Sequence, residues 1–118
     1  MTETQLEVLV KAIKTFGCDN QSDIAIEEMS ELTKAIIKHR RYHTDETLAN
    51  LREEIADVQI MIWQLMIQYG DSEHIMKSKI ERLKKRIEEF KNESTEKQRA
   101  THFGTTQSVK ARVRKRIR

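Results

Sequence analysis

The stretch "REEIADVQIMIWQL" runs from Arg52 to Leu65, and its reading decides the fold. From Val58 to Ile67 only Gln59 and Gln64 interrupt the apolar sequence. A helix that is apolar nearly all round is normally buried. With Glu54 set at zero and about 100° per residue, Val58, Met61 and Leu65 fall within about 40° of it, and Asp57 about 60° to one side. Two carboxylates therefore open a strip expected to face a helical interior.

The rest of the chain agrees with a helical reading. It has 118 residues, no proline and three glycines, and it is rich in Glu, Lys, Ile, Leu and Gln. That composition points to an all-α fold of one main domain. The spacing of Leu6, Leu9, Val10 and Ile13 predicts a first helix from about Thr4 to about Thr15. Gly17 ends it, "GCDNQSD" reads as a linker, and Asn20 or Ser22 is the expected cap of a second helix reaching about His39. Thr44 or Asp45 caps the third, Gly70 ends it, and a fourth runs from "DSE" to about Asn92. Short connections between long helices predict an antiparallel four-helix bundle over residues 1–93.

The charge is segregated. Residues 94–118 hold eight of the 22 Lys and Arg but only one of the 19 acids, a net +7, which leaves the body at −4. This tail, ending "VKARVRKRIR", has little to bury and is expected to be poorly ordered by itself. The lone Cys18 excludes an internal disulfide framework and suggests a reducing compartment. No apolar run reaches membrane-spanning length, and "MTETQLEVLV" does not read as a signal peptide. A cytoplasmic protein is the expectation.

A second acidic cluster lies in "AIEEMSELTKAI", from Ala25. On a helix Glu31 is about 40° and Glu28 about 100° from Glu27, with Ile24 and Ala35 between them. An acidic run on a helix is by default a solvated face. Here two acidic pairs at i, i+3 spacing occupy two neighbouring helices, and both are set into apolar sectors. Burying one unpaired carboxylate costs several kcal/mol, and facing carboxylates also repel. Lys34 and Lys38 are too few to balance five acids. An all-oxygen donor set suits Mg²⁺ or Mn²⁺. A di-iron bundle needs Glu-x-x-His, absent at both pairs, and one Cys with four scattered histidines does not build a zinc site.

"EEMSE" (Glu27, Glu28, Glu31), a gap of 22 residues, and "EIAD" (Glu54, Asp57) together resemble the EExxE…ExxD signature of the MazG-like, all-α nucleoside triphosphate pyrophosphohydrolases. The resemblance covers roughly Glu3 to Phe90, including "VQIMIWQL" and "KIERL". It implies Mg²⁺-dependent hydrolysis of an NTP or dNTP to the monophosphate and pyrophosphate, with Mn²⁺ able to substitute. It also implies a homodimer or homotetramer that completes the site. By motif position Glu28, Glu31, Glu54 and Asp57 are implied metal ligands. Glu27 is implied as a further ligand or as the catalytic group that orients the attacking water. Lys79 and Arg82, one turn apart, resemble a phosphate-binding pair. Trp63 can stack on a base, though a Trp midway along a buried helix more often packs in the core. The alternative function is a non-catalytic helical oligomer whose basic tail binds nucleic acid or an acidic partner.

Overall fold

Thr2 starts the first helix with a reciprocal cap. Its hydroxyl accepts from the Gln5 backbone N–H, and the Gln5 side-chain oxygen accepts from the Thr2 N–H. A computed structural model of the chain describes residues 1–100. Within them lie α1 (Glu3–Phe16), α2 (Cys18–Tyr42), α3 (Asp45–Tyr69) and α4 (Glu73–Ala100), and no strand. The all-α expectation therefore holds for the described residues, none of whose helices is long and apolar enough to cross a membrane.

Two boundaries differ from the expected ones. The linker between α1 and α2 shrinks to Gly17, which turns the chain at φ 94 after donating its N–H to the Ile13 carbonyl. Such a φ suits glycine, so one residue makes the break and "CDNQSD" joins α2. Neither Asn20 nor Ser22 caps that helix: its N-cap is Gly17, with no side-chain cap bond. Asp19 in the first turn instead favours the start through the helix dipole. At the other end, α4 continues past Asn92 to Ala100. "ESTEKQRA" has no Gly or Pro, its Glu, Lys, Gln, Arg and Ala are good helix formers, and the Thr95 hydroxyl bonds the Lys91 carbonyl at 2.9 Å. Residues 94–100 of the expected tail are thus helical, and the remainder lies outside the described residues.

The chain forms two compact units, Met1–Asp71 and the part from Ser72 onward. In the first, α2 and α3 form a hairpin pinned at both ends. Gln21 near the start of α2 donates to Gln64 near the end of α3 at 2.7 Å. His39 and Thr47 are hydrogen-bonded at 2.8 Å at the opposite end. Thr44 caps α3 as expected, through a reciprocal bond with Thr47, and Gly70 ends it at φ 106.

The core of this unit is small: Leu9 of α1, Ala25 and Ala35 of α2, and Val58 and Met61 of α3. The two alanines let the helix backbones approach closely. Much of the remaining aliphatic surface stays in water. Ile55, Ile60 and Ile62 of α3 are exposed, so the all-round burial expected of this helix is not reached among the described residues. Trp63 is half-buried.

Candidate metal centre

The contact stripe of α2 reads Gln21, Ala25, Glu28, Leu32, Ala35, with spacings of four and three that keep one helix face. Glu28 thus occupies a position that its neighbours use for packing. On α3 the matching stripe holds Glu54, Val58, Met61 and Leu65, with Asp57 beside it. Folding the hairpin therefore brings carboxylates from both helices together. One carboxylate oxygen from each of Glu28, Glu54 and Asp57 lies within 4.8 Å of the others. Glu28 and Glu54 are half-buried, and Asp57 is exposed.

The environment opposes their charge. Burial pushes the Glu28 carboxyl above its ordinary value, and the Asp57, Glu31 and Glu27 charges push it further. Burial also raises Glu54, followed by repulsion from Asp57, Glu28, Glu31 and Glu53. Glu54 Oε2 is buried and has no hydrogen-bond partner among the described residues. A buried acceptor in that state is costly unless something supplies positive charge or a donor. Three converging carboxylates, one of which carries an orphaned buried oxygen, fit a hard divalent cation.

The other expected ligands lie at the margin. Glu31 is exposed and contacts Lys34 Nζ at 3.4 Å through Oε1, yet its charge still acts on both raised carboxyls. Glu27 is exposed, and its charge acts on Glu28. Lys79 and Arg82 are exposed on α4, in the second unit. Glu53 adds to the repulsion on Glu54, a contribution that motif spacing does not single out.

A second polar feature was not anticipated. Gln21 and Gln64 are only 5 % and 4 % exposed, and their side chains bond each other. Gln21 Oε1 and Gln68 Nε2 are buried without partners among the described residues. The available signal was Gln64 itself, which interrupts the apolar run of α3. Comparison with family models, with curated proteins and with solved structures found no match.

Proposed function

We propose that the chain is a MazG-like, Mg²⁺-dependent nucleoside triphosphate pyrophosphohydrolase, cytoplasmic and homo-oligomeric, that releases pyrophosphate and a nucleoside monophosphate. The observation that carries this reading is the convergence of Glu28, Glu54 and Asp57, together with the buried, unpartnered Oε2 of Glu54. Mn²⁺ would fit the same donors.

Glu28, Glu54 and Asp57 hold the cation in this reading. Glu31, next along α2, is the fourth ligand, in exchange for its contact with Lys34. A cation there supplies charge neutralisation for the phosphate oxygens. Glu27 remains outside the converging group, where its carboxylate can orient a water and accept its proton. Lys79 and Arg82, one turn apart on α4, bind polyphosphate as paired cations. The exposed isoleucines of α2 and α3 support an oligomer, because a monomer rarely leaves so much aliphatic surface in water.

The test is a panel of normal and modified NTPs and dNTPs incubated with Mg²⁺, with monophosphate and pyrophosphate quantified separately. Pyrophosphate release that requires Mg²⁺ and is lost in Glu54→Gln is expected. No release from any member of the panel, or release unchanged in Glu54→Gln, rejects the reading. Nucleic-acid binding without turnover would favour the non-catalytic alternative.

A further inference from the structure

The break between α2 and α3 is built differently from the other two. Gly17 and Gly70 end α1 and α3 at φ 94 and φ 106, where glycine carries no steric cost. At the α2–α3 break stands His43, at φ 47 and ψ 47, the one non-glycine residue with positive φ among the described residues. A side chain in the left-handed region carries torsional strain that glycine would avoid. An imidazole kept there in spite of it points to a use for the ring.

That ring has a neighbour. His39 lies four residues earlier on α2, and the two ring centroids are 5.4 Å apart with an interplanar angle of 66°. His39 is half-buried and His43 exposed. His39 Nδ1 is 2.8 Å from Thr47 Oγ1, across the hairpin. The Thr47 hydroxyl directs its one proton to the Thr44 carbonyl at 3.0 Å. Oγ1 is therefore the acceptor toward the ring, Nδ1 carries the hydrogen, and Nε2 keeps the lone pair of a neutral imidazole. Metal-binding histidines are prepared in this way: the second nitrogen donates to a fixed acceptor, which sets the tautomer and the ring plane.

The surroundings decide which ion fits. Lys38, Arg40 and Arg41 stand beside the pair, and Asp45 and Glu46 open α3 just past it. Arg41 places its guanidinium over the Tyr42 ring, 6.0 Å from the centroid. Opposite charge therefore does not define the site, although the carbonyls ending α2 favour a cation. The site offers imidazole nitrogen, which suits Zn²⁺, Ni²⁺ and Cu²⁺ and not the oxygen-seeking Mg²⁺. Among the described residues, the one group of three or more His, Cys, Asp or Glu donors is that at Glu28, Glu54 and Asp57. Water must therefore supply the remaining positions around an ion held by the two histidines.

We infer that His39 and His43 form a two-nitrogen site for a late first-row divalent cation, Zn²⁺, Ni²⁺ or Cu²⁺, whose coordination water completes. Thr47 is a positioning residue: it holds His39 through Nδ1 and does not touch the ion. The ion ties the last turn of α2 to the left-handed residue that reverses the chain, and so fastens the hairpin turn. This is not the closed zinc centre that the scattered histidines exclude. His39 lies about 16 Å of helix beyond Glu28, and the site stands independently of the chemistry there.

The test is calorimetric titration of the full chain with Ni²⁺ at pH 8, with 10 mM Mg²⁺ present to compete at the carboxylates. A Cys18→Ser background removes the one thiol. One Ni²⁺ binds per chain and raises the Tm. Thr47→Val weakens binding about tenfold, and Thr47→Ser, which keeps the hydroxyl, restores it. His39→Ala and His43→Gly weaken it further still. Glycine relieves the strain at φ 47, so His43→Gly keeps the far-UV helical signal and equals or exceeds the metal-free Tm of its parent. No Ni²⁺ binding by the parent, or affinity unchanged in His39→Ala or His43→Gly, overturns the inference. Loss of helical signal in His43→Gly overturns it in favour of a structural role for the imidazole. Affinity unchanged in Thr47→Val, or not restored in Thr47→Ser, overturns the positioning role of Thr47.

Discussion

Adding Mg²⁺ should stabilise this fold, and the gain should depend on pH in a direction set by Glu28 and Glu54. Both carboxyls are raised above the usual 4.5 in the folded state, first by burial and then by neighbouring acids. Below 4.5 both are protonated whether the chain is folded or not, and they have no effect on stability. As pH rises through 4.5 and then through the raised folded values, the unfolded chain ionises more readily than the folded one. Metal-free stability therefore falls across that window and levels off above it. A bound divalent cation favours the ionised carboxylates, so it opposes this fall and binds more weakly as the pH is lowered. With free Mg²⁺ at a hundred times its dissociation constant, the gain is about 2.7 kcal/mol. For a domain of this size that corresponds to a rise in Tm of roughly 10–20 °C, at about 4–8 °C per kcal/mol. Thermal melts from pH 4 to 8, with and without 10 mM Mg²⁺, measure both effects. Glu54→Gln keeps the shape and removes the charge, so it should abolish the Mg²⁺ shift while equalling or exceeding the metal-free Tm at neutral pH. A Tm insensitive to millimolar Mg²⁺ at pH 8, or a Mg²⁺ shift that survives in Glu54→Gln, would refute the reasoning.

Three further outcomes follow from other parts of the chain. Gln64→Leu strips the buried Gln21 amide of its partner and should cost about 1–3 kcal/mol, whereas the Gln21→Leu/Gln64→Leu pair should recover much of the loss; additive costs in urea melts would show that the bond is not the source. Gly17→Ala places a side chain at φ 94 with nothing within 4 Å to clash, so its cost is torsional alone, about 1–3 kcal/mol, and a neutral result would mean that the α1–α2 break can relax. Truncation after Ala100 should preserve the far-UV helical signal of α1–α4 and the turnover of a small nucleotide while removing any salt-sensitive nucleic-acid binding the full chain shows; a large fall in turnover at an unchanged oligomeric state would assign the basic end to the site instead.

The two acidic pairs were legible because helical periodicity converts spacing into direction. Glu54 falls in line with Val58, Met61 and Leu65, and the fold sets it in the same contact stripe as those residues. Glu28 shares a stripe with Ala25 and Ala35, both buried. Periodicity could not separate Glu28 from Glu27 and Glu31 with the same sharpness, because the inward direction depends on where α3 crosses α2. Thr44 and Gly70 were readable because capping is local chemistry. The start of α2 was not: a cap-rich run looks like a linker whether or not a single glycine has already made the turn. The helical extent of "ESTEKQRA" was hidden for a different reason. Low hydrophobicity argues against burial, but a helix needs only favourable backbone propensity to continue from a turn already formed.

The small core and the acidic site have a common origin. The α2–α3 seam offers a limited number of inward positions, and Gln21, Glu28, Glu54 and Gln64 occupy four of them. Each replaces an aliphatic side chain worth about 1.5–3 kcal/mol when fully buried, so the seam alone is weaker than its length suggests. Meanwhile Ile26, Ile37, Ile55 and Ile62, which lie off the seam stripe, remain at the surface. A chain that places acids in its seam and isoleucines outside must recover stability from contacts beyond the hairpin. In the proposed reading a cation among Glu28, Glu54 and Asp57 would relieve the first deficit, and burial of the exposed isoleucines in an oligomer would relieve the second. The two gains should be separable. Glu54→Gln should leave self-association intact while abolishing the Mg²⁺ response. Loss of both properties in that variant would mean that cation site and interface are one structure rather than two.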